Sequence, residues 1–555
     1  MPTGSPFQID IPQTDLLTYL FPPAQAVSDK PLWIDADDTQ NSLSPKQLLQ
    51  WVKRLGSGLQ ELGLQRQDVV MMYSTNHIFV PVAYLGISGA GCIYSGCNPA
   101  YGVEETVFQI QDTECKAILV EPPLVPTLLE AASKTNFPQN RIFLFSDKET
   151  GTIESIQDWR TILPSTSQAE SWKWKILNAE QSRTTVAALN YSSGTTGLPK
   201  GVMISHQNVI ANVEQSIFMR DLEQPYKPSS RPQERWLGFL PLYHAYGQLW
   251  SIVAAARTLS PCYYMRSFNY VRFLENIQNH RITHIQTAPP VIVMLAKRPE
   301  TEKYDLSSLQ NVLCGAAPLS KELQNEVSAK CGLKVVQTWG MTEVTCSSLH
   351  VPGGRDDRSG SVGYIDPNAT MKLIDDNGKE VGVGDRGEIH VKGPNVCMGY
   401  WRNEKATKET FDEEGFLKTG DIAIRDHNGL FWIVDRKKEL IKVKGFQVAP
   451  AELEALLLEH EHVADAAVCA IQLEHEELPR AYVALKSQHK TASSEWDIEK
   501  WVAGRVAKHK QLLGGVVFID EVPKSPSGKI QRKVLREWAK KDAEKWQERR
   551  GGVKL

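Results

Sequence analysis

Hydroxyls and glycines crowd the stretch from Tyr191 to Gly201. Ser192, Ser193, Thr195 and Thr196 supply donors, Gly194 and Gly197 let the backbone approach an anion, and Lys200 adds positive charge. Residues of these types in this order cradle phosphate oxygens. The stretch is not a Walker A loop, in which glycine directly precedes the lysine, because Pro199 takes that place here. A plain polar loop would not gather so many donors behind the strand-like run from Ala187 to Asn190. Other candidate chemistry thins out on inspection. The nine cysteines form no CxxC pair and no zinc-like spacing with histidine, so they read as buried thiols in a reducing compartment. His460 and His462 stand at i,i+2 near a helix end, where they would point away from each other into solvent.

Short apolar runs alternating with amphipathic stretches must position that loop. Leu48, Leu49, Val52, Leu55 and Leu59 recur at helical spacing, and strands are expected at 68–72, 116–120, 141–145 and 283–287. The alternation predicts a doubly wound α/β body with parallel strands. From about 361 to 435 the pattern changes to short strands with Gly-rich turns, and Asn377-Gly378 and Asn428-Gly429 are hairpin signals, so a small antiparallel β-subdomain is expected there. Beyond Arg436 a basic link leads to a compact α+β pattern. It comprises a helix opened by Pro450, strands near 466–471 and 481–485, a helix over 496–508 and a strand near 515–519. The expected division is a large domain at 1–436 and a small one at 437–555, with a hinge at Lys437-Lys438. The tail 532–550, mixing Lys and Arg with Glu, Asp, Trp538 and Trp546, reads as an amphipathic surface helix rather than a nucleic-acid arm.

Set in order along the chain, these motifs resemble the adenylate-forming superfamily of acyl-CoA synthetases, luciferases and peptide-synthetase adenylation domains. Several are worded as in 4-coumarate–CoA ligases. The resemblance runs nearly end to end: the phosphate loop, 241–247 (PLYHAYG), 315–319 (GAAPL), 337–343 (QTWGMTE, with Trp339 where tyrosine is usual), 419–421 (TGD), 435–450 and 523–530. It implies ATP, Mg²⁺ and CoA as co-substrates and ion. Gly315, Ala316, Ala317 and Pro318 would stack on adenine. Gln337, Thr338, Trp339, Gly340, Met341 and Thr342 would line the nucleotide site, with Asp421 and Arg436 on the ribose. Thr342 and Glu343 would hold phosphate, Thr196 and Glu343 the Mg²⁺, and Lys529 would bridge carboxylate and α-phosphate. The acyl pocket would be formed by Tyr243, His244, Tyr246, Gly315, Trp339, Gly340, Val344, Thr345 and Cys346, with His244 as orienter or gate. A lone histidine in an apolar run is otherwise a core residue. Lys438, Lys442, Lys444, Gly445 and Gln447 would serve the acyl-AMP and CoA. The lysine that coumarate-ligase-like chains often place before a Phe is here Ser267, leaving Arg266 as a possible substitute.

An attacking carboxylate and ATP repel each other, so cations and donors must cluster on the phosphates. The step after adenylation separates the family members. No Asp stands at the start of 241–244 to hold a substrate ammonium, and no carrier-protein segment follows residue 555. The expected substrate is therefore a hydrophobic aryl, arylalkyl or medium-chain acid transferred to CoA, with luciferase-like oxygenation or a carrier-protein acceptor as alternatives. A non-catalytic nucleotide-binding regulator would be expected to lose Lys529, Asp421 or Glu343. The 555 residues are 41% hydrophobic and 23% charged, which excludes a disordered or fibrous chain. A net charge of -3 gives no global case for nucleic acid or an acidic membrane surface. Two charge-free stretches, 78–103 and 236–256, are interrupted by Pro, Gly and polar residues and read as buried core, not membrane spans. The N-terminus lacks a secretory signal, and Val553-Lys554-Leu555 resembles a degenerate peroxisomal address, so cytoplasm or peroxisome is expected. The oligomeric state is left open.

Overall fold

The computed structural model describes residues 2–192, 199–443, 446–473, 476–486, 494–525 and 528–551, with side chains through 544. Its body consists of two large sheets. The first runs in the order Lys200–Ser205, Val186–Ser192, Ile93–Cys97, Val69–Tyr73, Ala117–Val120, Ile142–Leu144, Ile156–Asp158, Thr152–Ile153. Its central strands are parallel. The second is built on the parallel strands Lys334–Trp339, Asn311–Cys314, His284–Thr287, Trp236–Gly238, Cys262–Tyr264 and Trp33–Asp35.

Helices cover these sheets for reasons visible in the sequence. Pro45–Glu61 starts at a capping box between Ser44 and Gln47 with Pro45 in the first turn, and buries Leu48, Val52, Leu55 and Leu59. Every residue of Val80–Gly89 is buried, which accounts for the first charge-free stretch as core. The second stretch is likewise buried along Gln248–Ala254. No described helix is long and apolar enough to cross a membrane.

An antiparallel sheet follows, in the order Thr3–Gly4, Thr370–Ile374, Gly387–Lys392, Leu417–Arg425, Phe431–Arg436. The N-terminal strand in this sheet comes from the other end of the large body, where no periodicity announced it. Three turns around the sheet share one design. The first Asp of 375–378, 412–415 and 426–429 accepts from the backbone N–H groups two and four residues on, and the closing glycine has φ of +78°, +79° or +85°. The leading Asp sets the turn, since 412–415 forms it with Glu rather than Asn before Gly.

The C-terminal unit packs Val463–Leu473, Glu476–Leu485 and Val516–Ile519 against Pro450–Glu459, Glu495–Ala503 and Arg532–Gly551. The helix expected to reach Lys508 stops at Ala503, with Gly504 as its C-cap residue. The last helix buries Leu535, Ala539 and Ala543, as an amphipathic surface helix should. His460 and His462 correct the expectation: the helix ends at Glu459, so the two rings meet edge to face at 5.2 Å and His460 packs on Trp501. The tripeptide 553–555 lies outside the described residues.

Candidate active site

The candidate residues converge where parallel strands end, the usual ligand edge of an open α/β sheet. Val186–Ser192 leads into the phosphate loop, whose residues Ser193, Gly194, Thr195, Thr196 and Gly197 lie outside the described residues; Ser192 is half-buried at its entrance. Asn311–Cys314 ends at Gly315 and Lys334–Trp339 ends at Gly340. A Cβ on Gly340 would lie 1.8 Å from the Cys346 carbonyl oxygen, so no other residue fits without moving backbone. Ala316 holds φ +72°, a strained value for a residue with a Cβ, in the loop expected to meet adenine. Ala317 is half-buried beside it and Pro318 is exposed.

Asp421 is 5% exposed and has both carboxylate oxygens engaged. Arg436 Nε meets Oδ1 at 3.1 Å, from the residue paired with Asp421 across the antiparallel strands. Trp339 Nε1 donates to Oδ2 at 2.9 Å. A carboxylate accepts about four hydrogen bonds, so two sites stay open for ribose hydroxyls. The indole in place of tyrosine thus holds the carboxylate expected on the ribose.

Glu343, also buried, accepts from the Tyr400 hydroxyl at 2.9 Å, and Lys200 Nζ lies 4.9 Å from the Tyr400 ring centroid. Tyr400 therefore links the end of the phosphate loop to the acidic residue. It lies 57 residues from Glu343 with no local motif of its own, and sequence reasoning missed it.

Lys529 arrives from the C-terminal unit on a tight hairpin: Ser525 N–H donates to the Lys529 carbonyl at 2.8 Å, and Gly528 has φ +82°. A Cβ on Gly528 would come within 2.9 Å of Pro290 Cγ, so the hairpin tip nests directly against the large body. Burial, and then the nearby Arg436 guanidinium, push the Lys529 ammonium down to about 8, against the pull of Glu343 and Asp421. His244 stands in the same field: burial and then the Lys529 charge push it down to about 3. Its Nδ1 accepts from the Tyr246 N–H at 3.3 Å, so a neutral imidazole carries its proton on Nε2. It can donate a hydrogen bond at neutral pH but is a poor base there.

A cavity of about 30 Å³, room for roughly one water, lies beside His244 and Thr342. Asn98, Tyr101, Gln109, Asn190 and Tyr243 contribute uncharged polar walls. Of these only Tyr243 was expected. Tyr246 is buried, spends its hydroxyl on the Leu313 carbonyl at 3.0 Å, and stands within 3.5 Å of a Cβ placed on Gly315. Cys346 packs into the same cluster of side chains as Tyr246.

Several expected contacts point elsewhere. Gln337 Nε2 donates to the Leu319 carbonyl at 3.1 Å and to Gln324 at 2.8 Å, so its amide braces the Gly315–Leu319 loop from behind. Thr338 donates to the Leu349 carbonyl at 2.7 Å. Val344 is fully buried in the core shared with Leu349, Ile365 and Phe431, with Met341 packed at its edge, and Thr345 donates to the Asn395 carbonyl at 2.7 Å with φ +69°. Arg266 Nη2 pairs with Asp35 at 3.1 Å and with Asp147, so two carboxylates already share its charge.

The hairpin expected to serve the second step stays out of the site. Lys442 and Lys438 are exposed, Gln447 Nε2 donates to Asp376 at 2.8 Å, and Phe446 stacks on His509 at 4.5 Å in solvent. Lys444 and Gly445 lie outside the described residues.

Known proteins complete the picture. Residues 21–401 match the family model described as AMP-binding enzyme, and 452–529 match the AMP-binding enzyme C-terminal domain. The chain is 37% identical to acyl-CoA synthetase ACTT5 of Alternaria alternata over 94% of its length and 91% of the relative's. Phenylacetyl-CoA ligase epaB of Aspergillus niger is 35% identical (95% and 97% covered), and 4-coumarate-CoA ligase 1 of Narcissus pseudonarcissus is 36% identical (94% and 93%). Among solved structures, ATP-bound MatB from Rhodopseudomonas palustris superposes with a TM-score of 0.82 at 27% identity, covering 95% of this chain and 99% of that one. The apo form of the same protein gives 0.71, with the same coverage, at 26% identity. With its family-model matches, these relatives, and Asp421, Glu343 and Lys529 gathered at one edge, this chain belongs to the AMP-binding enzyme family and is an AMP-forming acyl-CoA ligase that activates a carboxylic acid as its adenylate.

Proposed function

We propose that the ligase activates a hydrophobic acid — aryl, arylalkyl or medium-chain — and passes the acyl group to the thiol of coenzyme A. The docking of Lys529 beside His244, Glu343, Asp421 and Arg436 carries this reading, because it brings cations and a hydrogen-bond donor to the place where two anions must meet. The substrate carboxylate attacks the α-phosphorus and pyrophosphate leaves. The Lys529 ammonium offsets charge on both reactants, and neutral His244 donates from Nε2 to orient the carboxylate. The uncharged walls at Tyr243, Tyr246 and Cys346 offer no fixed cation for a second carboxylate, and a relative named phenylacetyl-CoA ligase favours an aromatic acid. Glu343 supplies one buried carboxylate and Thr196 a hydroxyl. That donor set suits Mg²⁺, which typically takes one or two carboxylates plus substrate phosphates. The bound ion would neutralise phosphate charge.

In the second step the thiol attacks the acyl carbonyl and AMP leaves. We assign this step to Lys442, Lys444, Gly445 and Gln447, brought in by rotation of residues 437–555 against 1–436 about Lys437-Lys438. The better match to ATP-bound than to apo MatB fits a small domain turned toward activation. A panel of acids assayed with ATP, with and without CoA, tests the whole: AMP and pyrophosphate are expected, and ADP with inorganic phosphate would refute attack at the α-phosphorus. Gly445→Trp should block thioester formation while sparing acyl-AMP synthesis. Lys438→Pro should spare the first step and slow the second.

A further inference from the structure

The helix Pro450–Glu459 opens the mobile unit without a cap of its own, since its N-cap residue is Ala449 and makes no side-chain hydrogen bond. A helix start leaves backbone N–H groups that need an acceptor. The acceptor here comes from across the hinge: Asp435 Oδ2 takes the Ala451 N–H at 2.9 Å. Asp435 sits on the strand Phe431–Arg436, two residues before Lys437, paired with Ile422 and only 3% exposed. Its other oxygen accepts from the Arg436 N–H at 2.7 Å, which ties the carboxylate to the residue that holds Asp421. Around it a small apolar cluster joins Ile422 and Val434 on the large side to Leu440 and Ala449 on the small side.

We propose that Asp435 is a positioning residue that latches the small domain in the acid-activating orientation by capping its first helix across the hinge. This rests on the domain alternation proposed above. When the small domain turns about Lys437-Lys438, Asp435 stays with its sheet, the helix start leaves it, and the cap is lost. The latch thus stabilises the first orientation alone.

Three variants test this, each assayed for acyl-AMP formation from acid and ATP and, separately, for thioester formation from synthetic acyl-AMP and CoA. Asp435→Ala should slow the first step roughly five- to tenfold, the scale of a lost N-cap, and leave the second unchanged or faster. Asp435→Asn keeps an acceptor and should recover the first step to within about threefold. Asp435→Ala combined with Ala449→Ser gives the helix a cap that travels with it. This double variant should regain thermal stability yet keep the skewed ratio of the two steps. Equal loss of both steps in Asp435→Ala, or a ratio restored together with stability in the double variant, would show a merely structural cap and overturn the latch. Lys529→Ala in the same assays separates the two proposals: if it splits the half-reactions and Asp435→Ala does not, only the latch fails; if it loses both equally, the alternation itself fails.

Discussion

Two loops of the small domain meet opposite fates. The Lys529 hairpin is pressed into the large body, with Gly528 against Pro290 and the ammonium among His244, Glu343, Asp421 and Arg436. The hairpin Ile441–Val443/Phe446–Val448 buries Ile441, Val443 and Val448 in its own domain and turns Lys442, Phe446 and Gln447 to solvent, with Gln447 resting on Asp376 and Phe446 57% exposed. A large exposed aromatic and a buried, desolvated lysine are each costly for an isolated domain. They make sense together as two faces that take turns at one site.

The largest expected effect falls on the docked loop. Lys529→Ala should lower acyl-AMP formation about 10²- to 10³-fold, as losing one preorganised charge contact does, while thioester formation from synthetic acyl-AMP persists; single-turnover assays of each step would check this. Next comes Asp421, whose two partners both belong to the large domain. Trp339→Phe leaves one oxygen of Asp421 without its donor, and hydrogen bonds to charged groups are worth about 1.5–3 kcal/mol, so the KM for ATP should rise at least about tenfold with little change in kcat.

Proton linkage sharpens the contrast further. Lys529 must be charged to act, and its ammonium is stable only below about 8. Adenylation kcat/KM, which reports the free enzyme, should therefore fall as pH rises through about 8, by roughly tenfold per unit. Lys529→Arg should abolish that fall, because guanidinium stays charged. The smallest effect belongs to the solvent-side loop: Asp376→Ala removes exposed contacts to Gln447 and Lys437, of a kind typically worth about 0–1 kcal/mol, and should shift either step by less than about fivefold in the same assays.

Much of this was legible in the sequence, the strands from residue types and the site residues from the family resemblance. The strands at 69–73, 117–120, 142–144 and 284–287 follow from apolar runs, and Asp421, Arg436, Glu343 and Lys529 fall together as their motifs imply. Side-chain direction was not legible. Gln337, Thr338, Val344 and Thr345 stand inside matching motifs, yet no motif announces the neighbours on which their side chains are spent: Leu319 and Gln324, the Leu349 and Asn395 carbonyls, and the core around Val344. Long-range partners were equally hidden. Tyr400 on Glu343, Asp435 on Ala451 and the two carboxylates on Arg266 depend on chain segments that only the fold brings together.

The exchange of loops can be tested by holding one of them still. Asp376 and Gln447 meet at 2.8 Å through exposed side chains, so cysteines at both positions can be joined by a short bis-maleimide linker, whose thioethers the CoA thiol does not cleave. With the link closed, one round of acyl-AMP formation should proceed at nearly the rate of the unlinked double-cysteine protein, whereas the thioester formation measured in that unlinked protein should stop. Thioester formation at an undiminished rate in the linked protein would contradict the alternation of the two loops.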